Sequence, residues 1–198
     1  MQLTPYPVRS TLAVELRIDP AKPEEKEAVR NLLQLYQYDF SEFAEGVVLD
    51  DGLFPYHADF DAEWDRLCPR TFLLRAFDVE PRSGDQDWHL AGFATVSEGS
   101  PFGQNTAPPQ WHMEDFFVLR KYRRAGAGRY LAMHCFERFR GRWEVAEYQS
   151  NTVAQAFWRN IIAEHTNGRF DEVIREDGPG WAVQLFDNTT VNRGGTTP

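Results

Sequence analysis

The chain has 198 residues, a formal charge of -9, 42% hydrophobic and 14% aromatic residues, and two cysteines. A chain of this size fits one domain able to bury roughly 70% of its unfolded surface. The acidic balance argues against nucleic acid or anionic lipid as partners, and favours cationic small molecules instead.

No apolar run approaches the ~20 residues of a membrane span, and the N-terminal "MQLTPYPVRS" lacks a signal-peptide core. Cys68 and Cys135 show no CxxC spacing and read as reduced thiols, so the expected compartment is cytoplasmic. His57, His89 and His165 have no metal-ligand spacing with each other or with the cysteines, so no metal is expected. Adjacent His134 and Cys135 fall on different faces of one helix, which argues against a nucleophile pair.

"TLAVELRID", residues 11–19, is rich in branched residues and reads as a first strand. A helix follows, with Pro23 in its first turn and Glu24 and Glu25 at the positive end of its dipole. Val29, Leu32, Leu33 and Tyr36 form its apolar stripe. "LDDGLFPYHADF" reads as loop, and "FDAEWDRL" as a short helix with Phe60, Trp64 and Leu67 on one side.

"TFLLRAFDV" and "WHLAGFATVSEG" form a hairpin across the polar turn "EPRSGDQD", and "SPFGQNTAPPQ" breaks the chain before the strand "WHMEDFFVL". "GAGRYLAMHCFERFR" carries Gly128, Leu131, Ala132, Cys135, Phe136 and Phe139 at helical spacing. "GRWEVAEYQS" is a strand. Asn151 caps the next helix, whose stripe is Ala154, Phe157, Trp158, Ile161 and Ile162. "GRFDEVIRED" and "GWAVQLFDN" close the chain as strands. The order βα(α)βββαβαββ implies an α/β (α+β) fold with a mixed, mostly antiparallel sheet flanked by helices. Residues 1–188 read as one domain and 189–198 as a loose tail.

The chemistry concentrates in "VLRKYRRAGAGRYLA", residues 118–132. A strand, a glycine turn and a helix start together make a phosphate site, because the helix N-terminus presents unpaired N–H groups and partial positive charge. Arg123, Arg124 and Arg129 add charge around the turn. A Walker A loop would need Gly-Lys-Ser/Thr, and Gly128 is followed by Arg-Tyr; the third glycine of a dinucleotide fingerprint is missing too.

The pattern R-x-x-G-x-G, with Val118 five positions before its first arginine and "NTVAQAFWR" one strand later, resembles the acetyl-CoA loop of the GNAT acyltransferase superfamily. The resemblance is sharpest over about residues 111 to 165 and loose before residue 70. It implies an acetyl-CoA-dependent N-acetyltransferase acting by direct attack in a ternary complex on a small-molecule amine. The backbone of Phe116, Phe117 and Val118 would pair with the pantetheine arm. The N–H groups of Arg124, Ala125, Gly126, Ala127, Gly128 and Arg129 would cradle the pyrophosphate, with Arg123 beside them and Asn151 bonding the pantetheine region. The acetyl group would lie where the third and fourth structural strands splay apart. Members of the family are often homodimers, so a homodimer is the assembly to test.

Strand alternation from Val118 puts Phe116, Glu114 and His112 on one face and Asp115 on the other. In similar enzymes the base often lies four or six residues before the valine, which gives Glu114 first and His112 second. A bulge would bring in Asp115, and Glu147 on the next strand is a further candidate. Trp158 stands where many relatives carry an acidic tyrosine. It can pack against the cofactor arm but cannot donate by titration, which leaves Tyr148 or Tyr130, or water, as proton donor. It also keeps open an alternative: a GNAT-fold CoA-binding or regulatory module with little transferase activity.

Residues 31–65 carry no Lys or Arg, and Asp39, Glu42, Glu45, Asp50, Asp51, Asp59, Asp61, Glu63 and Asp65 alternate with aromatic residues there. Such a wall suits a cationic amine by charge and by cation–π contact.

Overall fold

In the computed structural model, residues 14–55, 60–78, 87–101, 110–176 and 180–190 are described. The start of the first predicted strand, the "EPRSGDQD" turn up to Gln86, most of the "SPFGQNTAPPQ" break, Tyr56, His57, Asp59 and the tail from 191 lie outside them. The elements run β1 (Val14–Pro20), α1 (Lys26–Phe40), α2 (Phe60–Leu67), β2 (Thr71–Asp78), β3 (Trp88–Glu98), β4 (Gln110–Val118), α3 (Ala127–Arg138), β5 (Arg142–Tyr148), α4 (Thr152–Thr166), β6 (Asp171–Arg175) and β7 (Trp181–Asp187).

The strands make one sheet in the order β1-β2-β3-β4-β5-β7-β6. Every neighbouring pair is antiparallel except β4 with β5. That parallel pair needs a crossover, and α3 supplies it.

Each sheet face buries its own layer. Val29, Leu32 and Leu33 of α1 and Phe60, Trp64 and Leu67 of α2, the stripes expected from spacing, pack on Leu73, Phe93 and Phe117. Leu131, Ala132, Cys135 and Phe136 of α3 and Trp158, Ile161 and Ile162 of α4 pack on Leu74, Val96, Met113, Val118 and Trp143. Directly after β7, Asn188 is fully buried. Its side chain donates to Phe136 O at 2.7 Å and accepts from Gly141 N at 2.8 Å, locking the end of β7 against α3 and β5.

β4 carries a bulge. Thr95 of β3 opposes Asp115, but Val96 opposes Met113, so Glu114 is the extra residue. This corrects the face expected from simple alternation. Phe116, Met113 and Trp111 stay with Val118 on the α3/α4 face. Glu114 accepts from Ser97 Oγ at 2.7 Å, and Ser97 alternates with Phe93 on the α1/α2 face. Asp115, opposite Thr95, and His112, opposite Ser97, share that face.

Candidate active site

β4 and β5 pair only through Gln110–Arg142, Trp111–Trp143 and His112–Glu144. Beyond that rung the strands part, so the opening lies between the fourth and fifth strands and not the third and fourth, which stay paired, and Met113 to Val118 have no β5 partner among the described residues. On the other side β4 stays fixed to β3, up to Gly92 opposite Val118. The approach there is close: a Cβ on Gly92 would meet Phe117 O at 2.2 Å. The sheet therefore holds one edge of an opening rigidly and leaves its inner edge free.

The arginine-glycine turn leaves from the end of that free edge. Gly126, at φ 80°, is the N-cap of α3, and Arg124 also has a left-handed φ of 66°. The first backbone bond of α3 runs from Tyr130 N to Gly126 O at 2.9 Å. The N–H groups of Gly126, Ala127, Gly128 and Arg129 precede it and have no acceptor within the helix. Arg124, Ala125 and Gly126 are exposed, so this positive helix end meets solvent.

The arginines have partners of their own. Arg123 Nε donates to Val118 O at 2.7 Å, and its Nη2 pairs with Asp39. Arg120 pairs with the same carboxylate, Nε to Oδ1 at 2.9 Å. Arg129 Nε reaches both Glu164 oxygens, at 3.0 and 2.9 Å. The guanidiniums of Arg123 and Arg129 thus brace the loop against α1 and α4.

Asn151 Oδ1 accepts from Ala154 N at 3.0 Å, so it caps α4. Trp158 is buried in the core, its ring 4.8 Å from Phe116 and 4.9 Å from Phe157. Phe157 in turn lies under Gly128, where a Cβ would come within 3.2 Å of its ring. Phe116 of β4, Gly128 of α3 and Trp158 of α4 therefore meet around Phe157, whereas Phe117 packs on the opposite face of the sheet.

On the α1/α2 face, aromatic rings line the region around the opening. Tyr148, at the end of β5, lies 4.9 Å from Phe40 and 4.4 Å from Trp181 between ring centroids, and Tyr36 lies 5.3 Å from Phe40. Burial, and then the charges of Asp115, Tyr148 and Glu114, push the Tyr36 phenol far above its ordinary range. Glu114 is exposed, whereas Asp115 is buried. Tyr130 is exposed on α3.

His112 is buried on the last paired rung, with Nδ1 3.2 Å from Glu144 Oε1. Glu144 was missed from the sequence. A strand position between Trp143 and Val145 gave no sign that parallel register would set it beside His112. Glu147 points to the other face, where Gln184 Nε2 donates to it at 2.8 Å. Burial raises its carboxyl to about 8. Three carboxylates of the acidic stretch are paired: Asp39 with two arginines, Asp61 with Lys26 and Arg30, and Glu63 with Arg66. Burial pushes the Cys135 thiol up to about 12, which leaves it inert. No group of three or more His, Cys, Asp or Glu able to hold a metal occurs among the described residues, and none of their helices is long and apolar enough to cross a membrane.

The Acetyltransferase (GNAT) family model matches residues 30–161. Among solved structures, a GNAT-family acetyltransferase of Streptococcus agalactiae is similar at TM-score 0.59 and 13% identity, covering 89% of this chain and 98% of that one. A GNAT-family acetyltransferase of Listeria monocytogenes is similar at TM-score 0.56 and 11% identity, over 90% and 98%. Arabidopsis thaliana NAA60, solved in complex with acetyl-CoA, is similar at TM-score 0.56 and 13% identity, over 87% and 98%. No curated protein matches the sequence. The sheet with its single parallel pair and the family match over most of the chain agree: this protein belongs to the GNAT acetyltransferase family.

Proposed function

We propose that the chain is an N-acetyltransferase that takes acetyl-CoA as co-substrate and passes the acetyl group to a small cationic amine. The observation that carries the reading is the end of β4/β5 pairing at His112–Glu144, with the free edge of β4 running straight into the exposed N-terminus of α3. An extended pantetheine arm can use the open backbone of Phe116, Phe117 and Val118 much as a strand would. The pyrophosphate suits the N–H groups from Arg124 to Arg129, where left-handed Arg124 and Gly126 turn the chain. A backbone N–H near Val118 would meet charge developing on the thioester oxygen.

The base is drawn from the predicted pair Glu114 and His112, which share the α1/α2 face although that face is not Val118's. The acceptor preference rests on the same face. Tyr36 feels the charges of Asp115 and Glu114 and packs on Phe40, beside which Tyr148 and Trp181 continue the row of rings; that negative field beside aromatic faces favours a cation. Tyr148 or Tyr130, or water, is left to protonate the leaving thiolate in place of the tyrosine that Trp158 replaces.

Two measurements test this. Thermal shift with CoA and acetyl-CoA should show stabilisation, roughly 2.7 kcal/mol at 100 times Kd. An amine panel should then show transfer to cationic primary amines ahead of neutral or acidic acceptors. A shift without transfer to any amine would favour the binding-module reading, to which the buried Trp158 lends its support.

A further inference from the structure

We infer that Ser97 is a positioning residue for Glu114, pinning one oxygen of that carboxylate so that the other meets the acceptor's amine; this rests on the acetyltransferase reading above. Glu114 is the extra residue of the β4 bulge, so no residue of β3 stands opposite it, and its exposed side chain would otherwise be free to sweep. One contact restrains it: Ser97 Oγ donates to Glu114 Oε2 at 2.7 Å. Ser97 is buried on β3, the strand that stays paired with β4 on the side away from the opening. Glu114 lies just past the last rung between β4 and β5, beside the opening itself. The donor is therefore anchored in the rigid part of the sheet and the acceptor stands at the free edge.

The side chains along this face of β3 change role toward the opening. Phe93 packs in the α1/α2 core, Thr95 Oγ1 shares a hydrogen bond of 3.2 Å with Thr71 Oγ1, and Ser97 turns to Glu114. A buried hydroxyl is costly unless it is bonded, and Glu114 is the one hydrogen-bond partner of the Ser97 side chain among the described residues. The kind of donor matters. Asp39, Asp61 and Glu98 each meet a guanidinium or ammonium, whereas Glu114 meets a neutral hydroxyl and makes no ion pair among the described residues. A salt bridge would hold a carboxylate by charge and weaken it as a base; a hydroxyl fixes Oε2 and leaves Oε1 to take a proton. In the transfer, one proton of the acceptor's ammonium passes to Glu114 Oε1, directly or through one water, and on to solvent. The neutral nitrogen bonds to the thioester carbonyl carbon, and the C–S bond breaks with its electron pair leaving on sulfur. The nitrogen sheds its second proton to water and the thiolate takes one from water. Ammonium and acetyl-CoA thus become amide, CoA and one released proton.

The test joins crystal structures with steady-state kinetics on spermidine and tyramine as probe amines, for the wild-type protein, S97A, S97T and E114Q. In wild-type crystals Glu114 should keep one rotamer, bonded to Ser97 Oγ, and in S97A it should spread over several. S97A should lower kcat by roughly tenfold to 100-fold, the size of effect that misplacing a reacting group produces, and leave KM for acetyl-CoA unchanged. S97T keeps a hydroxyl and should restore most of the loss, which a role in packing alone would not predict. E114Q should lose roughly 100-fold or more, and S97A/E114Q no more than E114Q alone, because the two residues act as one unit. Should S97T fail to fold, the double variant still separates the roles, since a purely structural effect of S97A would add to that of E114Q. An ordered Glu114 in S97A overturns the inference even if neither probe is turned over, and so does wild-type kcat in S97A beside a loss in E114Q. Wild-type kcat in E114Q would strike Glu114 as the base and the inference with it. Failure of the CoA thermal shift would instead strike the acetyltransferase reading and leave the rotamer result standing.

Discussion

Gly128, in the first turn of α3, lies against the ring of Phe157 on α4, where a Cβ would stand 3.2 Å from Cε2 and 3.3 Å from Cζ. Gly126, two residues earlier, is different: a Cβ there would meet nothing within 4 Å, but its φ is 80°. One glycine is required by packing and the other by backbone conformation, and substitutions separate them. Gly128→Leu should destabilise by about 1–3 kcal/mol through overpacking. Gly126→Val should cost roughly 1–2 kcal/mol for a left-handed β-branched residue, and it should abolish the thermal shift with CoA because the turn no longer presents its N–H groups. Denaturant midpoints with and without CoA check both.

Asp39 ties the end of α1 to the loop through Arg120 and Arg123. Both guanidiniums are well exposed, so Asp39→Asn should cost little stability. It should instead free two cations beside the proposed pyrophosphate site. The expected result is a lower KM for acetyl-CoA at low salt, an effect that fades at high salt as screening sets in. A higher KM at every salt concentration would mean that Asp39 matters by shaping the loop.

The features legible in the sequence were the local ones. Asn151 capping α4, the α1 stripe Val29, Leu32, Leu33, and the glycine turn before α3 each depend on residues within a few positions. What was not legible depends on pairing across the sheet. The face of Glu114 turns on whether Val96 opposes Met113 or the next residue, which no pattern within β4 records. The charge of Asp39 is matched by arginines 81 and 84 positions away, so a carboxylate in a run without nearby bases is paired in space. The proximity of His112 to Glu144 arises from parallel register, which a sequence does not display.

Trp158 sits where the resemblance led one to look for a proton donor, yet its ring packs among Phe116, Phe136 and Phe157. Its function is expected to be packing. Trp158→Phe should lower stability by about 1–3 kcal/mol, since buried area is lost and a void is left, with kcat close to wild type. Trp158→Tyr should be no faster than Trp158→Phe, because a phenol in that core gains no path to the leaving sulfur. A marked rise in kcat for the tyrosine variant would show that this position reaches the thiolate.

Glu147 makes stability depend on pH in a direction opposite to that of a salt-bridged carboxylate. Burial, opposed in part by the hydrogen bond from Gln184, raises its carboxyl from 4.5 to about 8. Below about pH 4.5 the group is protonated in both folded and unfolded chains and contributes no difference. Between there and pH 8 the folded state holds a proton that the unfolded state has released, so stability falls as pH rises. Above pH 8 the folded carboxylate is ionised in its buried site and the full penalty, roughly 3–5 kcal/mol for a shift of this size, is present. Glu147→Gln keeps an oxygen to accept from Gln184 and has no charge to desolvate. Its stability relative to wild type should therefore increase from about pH 5 to pH 8 and level off above it, as read from urea midpoints, while the contributions of all other groups cancel in the difference. A flat difference would mean that Glu147 is ionised throughout, held by Arg159 across the bridge it shares with Glu172, and that the network on this face is charged in the native state.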